Sequence, residues 1–337
     1  MASRTDSEGK QAYIAEMMSQ ANEFLEYMPW LESNERGGHE FVFRTSIPAG
    51  SWRQINQGVP YGKSTTAKAR IGVGSLEDFS QVDIILAEDT GDPATFRKNE
   101  DVAFLEGMGQ TIIQTFFYGN TAVNPAEFMG FSTFYNTVNT ATAANAANVI
   151  DAGGVGSSNL SIYLICFGER TVFGVYPRGS KAGLDMKDFG IDQRAYDSIG
   201  NPFVAYTTWF RQQAALCPQD WRYVARIANV DVTNAGLAGP NAPDLFALLA
   251  QAAYLPPTLG RLSSGITRTD APNDPSPSIR PVIFTNRTGR HWLDVQSIRD
   301  RNVLLTPDQS AGVVNESWRN VPIAVVDQLT TTEGRVT

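Results

Sequence analysis

Few groupings in this sequence have the residue types and spacing for chemistry. Gly62-Lys63-Ser64-Thr65 has the ending of a phosphate-binding loop, in which backbone amides and a lysine cradle phosphate oxygens. The full motif would place its first glycine at Gln57, and Gly58 is one residue off. No apolar strand leads in and no helical pattern follows, so the amides lack a frame on which to converge. Gly72-x-Gly74 has Glu77 where a dinucleotide fingerprint needs glycine, and Gly153-Gly154-x-Gly156 precedes a strand pattern. Both read as turns, because that fingerprint opens a helix. A Ser–His–carboxylate triad would have to use His39 or His291, and no G-x-S-x-G elbow accompanies them. Cys166 and Cys217 form no C-x-x-C pair and sit among apolar residues, as buried reduced thiols do. No cluster with zinc-ligand spacing is present. Arg280, Arg287, Arg290, Arg299 and Arg301 lie close in sequence, with Asp294 and Asp300 among them. They read as a solvated or subunit-facing helix, with contact to an enclosed polyanion as the sharper alternative.

Composition says more than the motifs do. The chain has 337 residues, room for about two domains of roughly 150. Its hydrophobic fraction of 42% argues against disorder. Charged residues make up 18%, below the usual level of about 25%, which suggests a surface covered by something else. A net charge of −8 disfavours global attraction to nucleic acid or anionic membrane. No apolar run approaches ~18 residues, so no membrane helix is expected. The polar stretch from Met1 to Lys10 has no signal-peptide core.

The elements follow from periodicity. Ile14, Met17, Met18, Ala21, Leu25 and Met28 predict an amphipathic helix over residues 11–28, ended by Pro29. Residues 1–40 carry eight acids and three bases, a net of −5. Phe41, Phe43, Thr45 and Ile47 alternate as a half-buried strand does, and Val82, Ile84 and Leu86 suggest its return partner. Between them Pro48–Ser80 is expected to hold little regular structure, which in a compact domain marks a functional segment. From Phe41 to Leu76 there are five bases and no acid. Asp92-Pro93 opens a long helix that Gly119-Asn120 stops. Strands are expected near 162–167, 172–176, 205–210, 221–230, 282–284, 303–305 and 321–326, with helices near 244–253 and 290–301. Strands and helices mix without βαβ alternation, which makes the fold α+β.

Five stretches carry a resemblance: NPAEFMGFSTFYN (124–136), SIYLICFGERTVFGVYPRGSKAGLDMKDFG (161–190), LCPQDWRYVARIANVD (216–231), PVIFTNRTGRHWLDVQ (281–296) and WRNVPIAVVDQL (318–329). In order and spacing they are similar to the major capsid proteins of tailed bacteriophages with the Hong Kong 97-like fold. The likeness is to the podovirus branch of epsilon15-like and Bordetella-phage shells. It implies an N-terminal arm at 1–40, an extended hairpin loop at 41–91, and a peripheral domain at 92–150 with a spine helix near 92–118. An axial domain and the remaining peripheral strands would fill 151–337, in an order permuted from most of the family.

The resemblance implies a structural protein and not an enzyme, with no cofactor and no metal. Pentamers and hexamers of the chain would tile an icosahedral shell around double-stranded DNA, without sequence-specific binding. A separate scaffolding protein, a portal and a decoration protein would be its partners. It would reside in the virion capsid after assembly in the bacterial host cytoplasm, with no chain crosslinks. The opposite charges of arm and hairpin predict contacts between subunits at Glu16, Glu23, Glu26, Arg44, Arg53, Lys63, Lys68 and Arg70. Two alternatives stand beside this: an encapsulin-like nanocompartment shell, and a nucleotide-binding enzyme using Gly62-Lys63-Ser64.

Overall fold

The computed structural model describes residues 23–35, 37–89, 91–180, 183–234, 242–257, 279–299, 306–308, 315–319 and 321–337. The first elements are α1 (Phe24–Tyr27), β1 (Trp30–Glu32), β2 (Gly38–Ser46), β3 (Thr65–Gly72), β4 (Gly74–Asp83) and α2 (Ile84–Asp89). The long helix α3 spans Pro93–Tyr118, followed by α4 (Phe131–Phe134), β5 (Val149–Asp151), β6 (Asn159–Phe167) and β7 (Val172–Tyr176). Next come β8 (Leu184–Tyr196), β9 (Pro202–Pro218), β10 (Val224–Asp231) and α5 (Leu245–Tyr254). The chain closes with β11 (Arg280–Thr285), α6 (Arg287–Arg299), β12 (Thr306–Asp308), β13 (Asn315–Trp318) and β14 (Val321–Val325).

The core is built around β6. It pairs antiparallel with β10 on one side and β11 on the other, with β5 and β14 beyond them in parallel. All nine of its residues are buried, as a strand covered on both faces requires. Helix α5 packs on β10 and α6 on β11 and β14. Helix α3 brings Phe117 to 5.3 Å from Tyr163 of β6.

A second sheet grows from the last residues of β9. Its Ala215–Pro218 segment pairs with β7, while the rest of the strand runs between β4 and β8. The first half of α3 covers one face of this sheet, where Phe96 is buried with Val82 and Ala87. Arg97 fastens helix to sheet. Its guanidinium donates to the Asp188 carboxylate at 2.6 Å and to the Thr208 hydroxyl at 3.3 Å, and lies over the Tyr206 ring. The Arg97 hydrogen bond in turn holds the Asp188 carboxyl below the ordinary carboxylate range.

The 26-residue helix α3 begins and ends where its signals place it. Asp92 accepts from the Thr95 amide, Pro93 opens the first turn, and the Gly119 amide donates to the Thr115 carbonyl at 2.8 Å. Four expectations need correction. The partner of β2 is β3, not residues 82–86; the β3 stretch Thr-Thr-Ala-Lys-Ala-Arg is too weakly apolar to show alternation. Residues 84–89 are helical because the Asp83 carboxylate accepts from the Ile85 amide at 2.9 Å, ending β4 and starting α2. Residues 48–80 are thus largely strand at their C-terminal end. The Phe43 and Ile47 side chains, expected half-buried, are exposed. Of the helix expected over 11–28, residues 11–22 lie outside the described residues and the rest holds the single turn α1; the strand expected at 303–305 also lies outside them.

Candidate interface of the extended hairpin

Strands β2 and β3 form a two-stranded ribbon apart from the main sheet, in register from Gly38↔Gly72 to Arg44↔Thr66. Thr45 and Ser46 share hydrogen bonds of 2.7 and 2.8 Å with the Thr65 hydroxyl. The ribbon then continues without regular pairing. Pro48 stays against Gly62, where a Cβ would lie 3.0 Å from the proline ring. The far end is a turn at 54–57, closed by the Gln57 amide on the Gln54 carbonyl, with Asn56 at φ 67°. Asparagine tolerates that left-handed conformation.

Every residue from 42 to 66 is exposed. Among them are Val42, Phe43, Ile47, Trp52, Ile55, Val59 and Tyr61, with Trp52 and Tyr61 fully in solvent. Exposed apolar side chains in this number are the kind of patch that marks interaction sites in soluble proteins.

The base of the ribbon is held by a cross-strand ion pair and by the residues just before it. Glu40 pairs with Lys68 at 2.7 Å and Glu35 with Arg70 at 3.1 Å. The Asn34 side chain bonds both the carbonyl and the amide of Glu40. His39 sits edge-on to Phe173 at 5.6 Å, and burial holds its imidazole below the ordinary value. The segment before the ribbon is stitched to the core. Strand β1 runs parallel to β7, and Gly174 leaves room for the Met28 and Trp30 side chains. Phe24 lies within 6.1 Å of five rings: Phe116, Phe117, Phe131, Phe167 and Phe284.

The eight expected contact residues therefore divide. Arg44, on β2 opposite Thr66, and Arg53 and Lys63, in the unpaired stretch beyond, are exposed and make no ion pair among the described residues. Lys68 and Arg70 are spent on acids of the same chain. Glu26 is exposed, whereas Glu23 is half-buried against its own body. There its amide donates to the Val325 carbonyl, and burial raises its carboxyl, opposed by Arg290. Glu16 lies outside the described residues. The apolar tip residues and the Asn34–Glu35–Glu40 clasp were not anticipated. Large apolar side chains scattered through a Gly- and Pro-bearing segment were the available signal.

The other chemical candidates are inert in place. Lys63 lies in an exposed extended segment that leads into β3 rather than a helix, so it frames no phosphate. Gly153, at φ 91°, turns the chain ahead of β6. Both thiols are buried, which drives Cys166 upward and pushes Cys217 up to about 12; neither is a nucleophile at neutral pH. Among the described residues no group of His, Cys, Asp and Glu could hold a metal ion. No described helix is long and apolar enough to cross a membrane.

Residues 6–337 match the family model for the major capsid protein GP7. Among solved structures, a chain of bacteriophage Epsilon15 is similar at 28% identity, with a TM-score of 0.72. The alignment covers 99% of this chain and 95% of that one. The bacteriophage JBD30 capsid shares the fold at 11% identity and a TM-score of 0.50, covering 95% of each chain. A search of curated proteins finds no relative.

Proposed function

Because this chain belongs to the major capsid protein GP7 family, we propose that its activity is assembly and that the β2–β3 ribbon reaches a neighbouring copy. The chain is a structural major capsid protein of a tailed bacteriophage with the α+β Hong Kong 97-like fold, and not an enzyme. It forms a multimeric shell in the virion. The finer reading is that pentamers and hexamers of it close an icosahedron around double-stranded DNA. A scaffolding protein, a portal and a decoration protein are its partners, and assembly takes place in the host cytoplasm. The arm is residues 1–40 and the extended loop 41–91, of which residues 42–66 project. The peripheral domain with the α3 spine is 92–150, and the axial domain with the remaining strands is 151–337.

The exposure of every residue from 42 to 66 is the observation that carries the reading. Single exposed ion pairs contribute only about 0–1 kcal/mol, so the tip cations set register and encounter rate, while the apolar tip residues supply contact area. Glu16, Glu23 and Glu26 of the arm are the remaining candidate contacts. A chain with a net charge of −8 would also line the shell without clinging to packaged DNA.

The test is negative-stain microscopy of the expressed chain. Uniform shells are expected from the wild type and lost when Arg53 and Lys63 are both reversed to glutamate. Assembly unchanged by that reversal at every salt concentration overturns the reading.

A further inference from the structure

We propose that a cavity beneath the foot of the ribbon is a binding site for an uncharged two-ring aromatic molecule. The proposal is independent of what the ribbon contacts. The cavity holds about 280 Å³. Its two walls come from different parts of the molecule. Phe41 of β2 and Ile71 of β3 form the ribbon side, and Met129, Phe134, Pro218 and Trp221 form the body side. Gly72 of β3 also borders it, and a Cβ placed there would meet nothing within 4 Å.

The lining decides the chemistry of the occupant. Its polar groups already have partners. The Tyr135 hydroxyl donates to the Trp221 carbonyl at 2.8 Å, the Asn145 side-chain amide donates to the Phe134 carbonyl, and Arg70 pairs with Glu35 at 3.1 Å. Ordered water needs several polar partners. A buried charge needs a counter-charge, and Arg70 is engaged. What is left is apolar and aromatic surface. Phe41, Phe134 and Trp221 are rings that pair with a further ring offset-stacked or edge-on, and the Met129 sulfur suits an aromatic neighbour. Volume sets the size. An apolar cavity of about 150 Å³ takes benzene, so this one, about twice as large, fits two fused rings.

Two other cavities fit less well. The cleft of about 410 Å³ beside Tyr118, Arg226 and Glu333 is lined mainly by polar residues, and Arg226 and Glu333 pair with each other. The space of about 160 Å³ between β4 and the second half of α3 has room for one ring only.

A molecule seated between the two walls touches ribbon and body at once. It supplies the dispersion contacts that a cavity denies its lining. The site thus sets how firmly the ribbon is held at its foot.

Indole is the probe, titrated by calorimetry into the full-length, unassembled subunit. One saturable site is expected, and the melting temperature should rise with indole concentration, as for any ligand that binds only the folded chain. Indole-3-carboxylate, similar in size but charged, should bind about tenfold more weakly or worse. Ala69→Leu fills the cavity from the ribbon side and should weaken indole by about tenfold or more. Thr121→Trp covers the rim from an exposed position. It should do the same without lowering the melting temperature of the free subunit, so the test stands even if Ala69→Leu does not fold. Hydrogen exchange of the amides of residues 66–72 should slow several-fold on binding. Absence of saturable binding, equal affinity for the carboxylate, or indole affinity unchanged in Thr121→Trp overturns the proposal. So does protection confined to residues away from the ribbon foot, which would place indole at another site.

Discussion

Arg226 and Glu333 form an ion pair of 2.8 Å whose side chains are only 4% and 6% exposed. Arg226 also donates to the Ser161 hydroxyl at 3.0 Å and to the Tyr135 carbonyl at 2.8 Å, and its guanidinium lies over the Tyr163 ring. The Tyr118 hydroxyl donates to the other oxygen of Glu333. One cluster thus ties β10, β6, the last turn of α3 and the segment 329–337 together. Breaking one side of a buried pair costs about 3–5 kcal/mol, because the partner is left charged and dry. Arg226→Met or Glu333→Leu alone should lower subunit stability by that amount in urea unfolding. The double variant should recover much of the loss, since an apolar replacement of the whole pair is often neutral.

Phe24 is a second fixed point. It is fully buried and touches five aromatic rings that come from α3, α4, β6 and β11. Phe24→Ala should cost about 3–5 kcal/mol, the range for emptying a packed phenylalanine site. Urea unfolding of the unassembled subunit measures it, and a cost below about 1 kcal/mol would mean that the arm is not anchored there.

Two glycines of the α3 region should respond oppositely to alanine. Gly109 lies mid-helix with nothing within 4 Å of an added Cβ, so Gly109→Ala should stabilise the subunit by about 0.5–1 kcal/mol. A Cβ on Gly119 would meet the Phe128 carbonyl oxygen at 2.2 Å and the Thr115 carbonyl oxygen at 2.6 Å. Those are backbone atoms and cannot step aside, so Gly119→Ala should destabilise by several times as much. Thermal melts of the two variants, compared with the wild type, decide the sign of each.

The parts of the fold legible in sequence are those whose signals are local. Asp92, Pro93 and Gly119 bound α3 by capping chemistry that works on neighbouring residues. The continuous apolar run of β6 marks a strand covered on both faces. Strand β8 was missed because it carries Asp185, Lys187 and Asp188 and buries little of either face. Its existence depends on β9, a partner supplied by tertiary pairing. The basic charge of the hairpin was legible as a sum. Which cations stay available was not, because Glu35 and Glu40 reach Arg70 and Lys68 only once β2 and β3 have paired. The exposure of Phe43 and Ile47 was hidden for the same kind of reason: alternation shows that one face is apolar, but not whether the chain or a neighbour covers it.

Acidification should destabilise the subunit in two separate windows, one at the ribbon base and one where α3 meets the second sheet. Burial lowers the His39 imidazole pKa, so the unfolded chain binds that proton more readily than the folded one. Stability from this site is therefore constant above the unfolded value of about 6.5 and falls as pH drops below it. Asp188 has the opposite origin and a lower range. Its carboxyl is depressed by Arg97, so the contribution holds above about 3.9 and is lost as pH falls through the folded value. His39 packs against Phe173 at the foot of β2, and a charge there would face an aromatic ring with no partner for Nδ1. Thermal stability of the wild-type subunit should fall between about pH 7 and 5, and His39→Gln should flatten that part of the profile without changing the decline below about pH 4. An identical slope between pH 7 and 5 in both proteins would assign the effect to other groups.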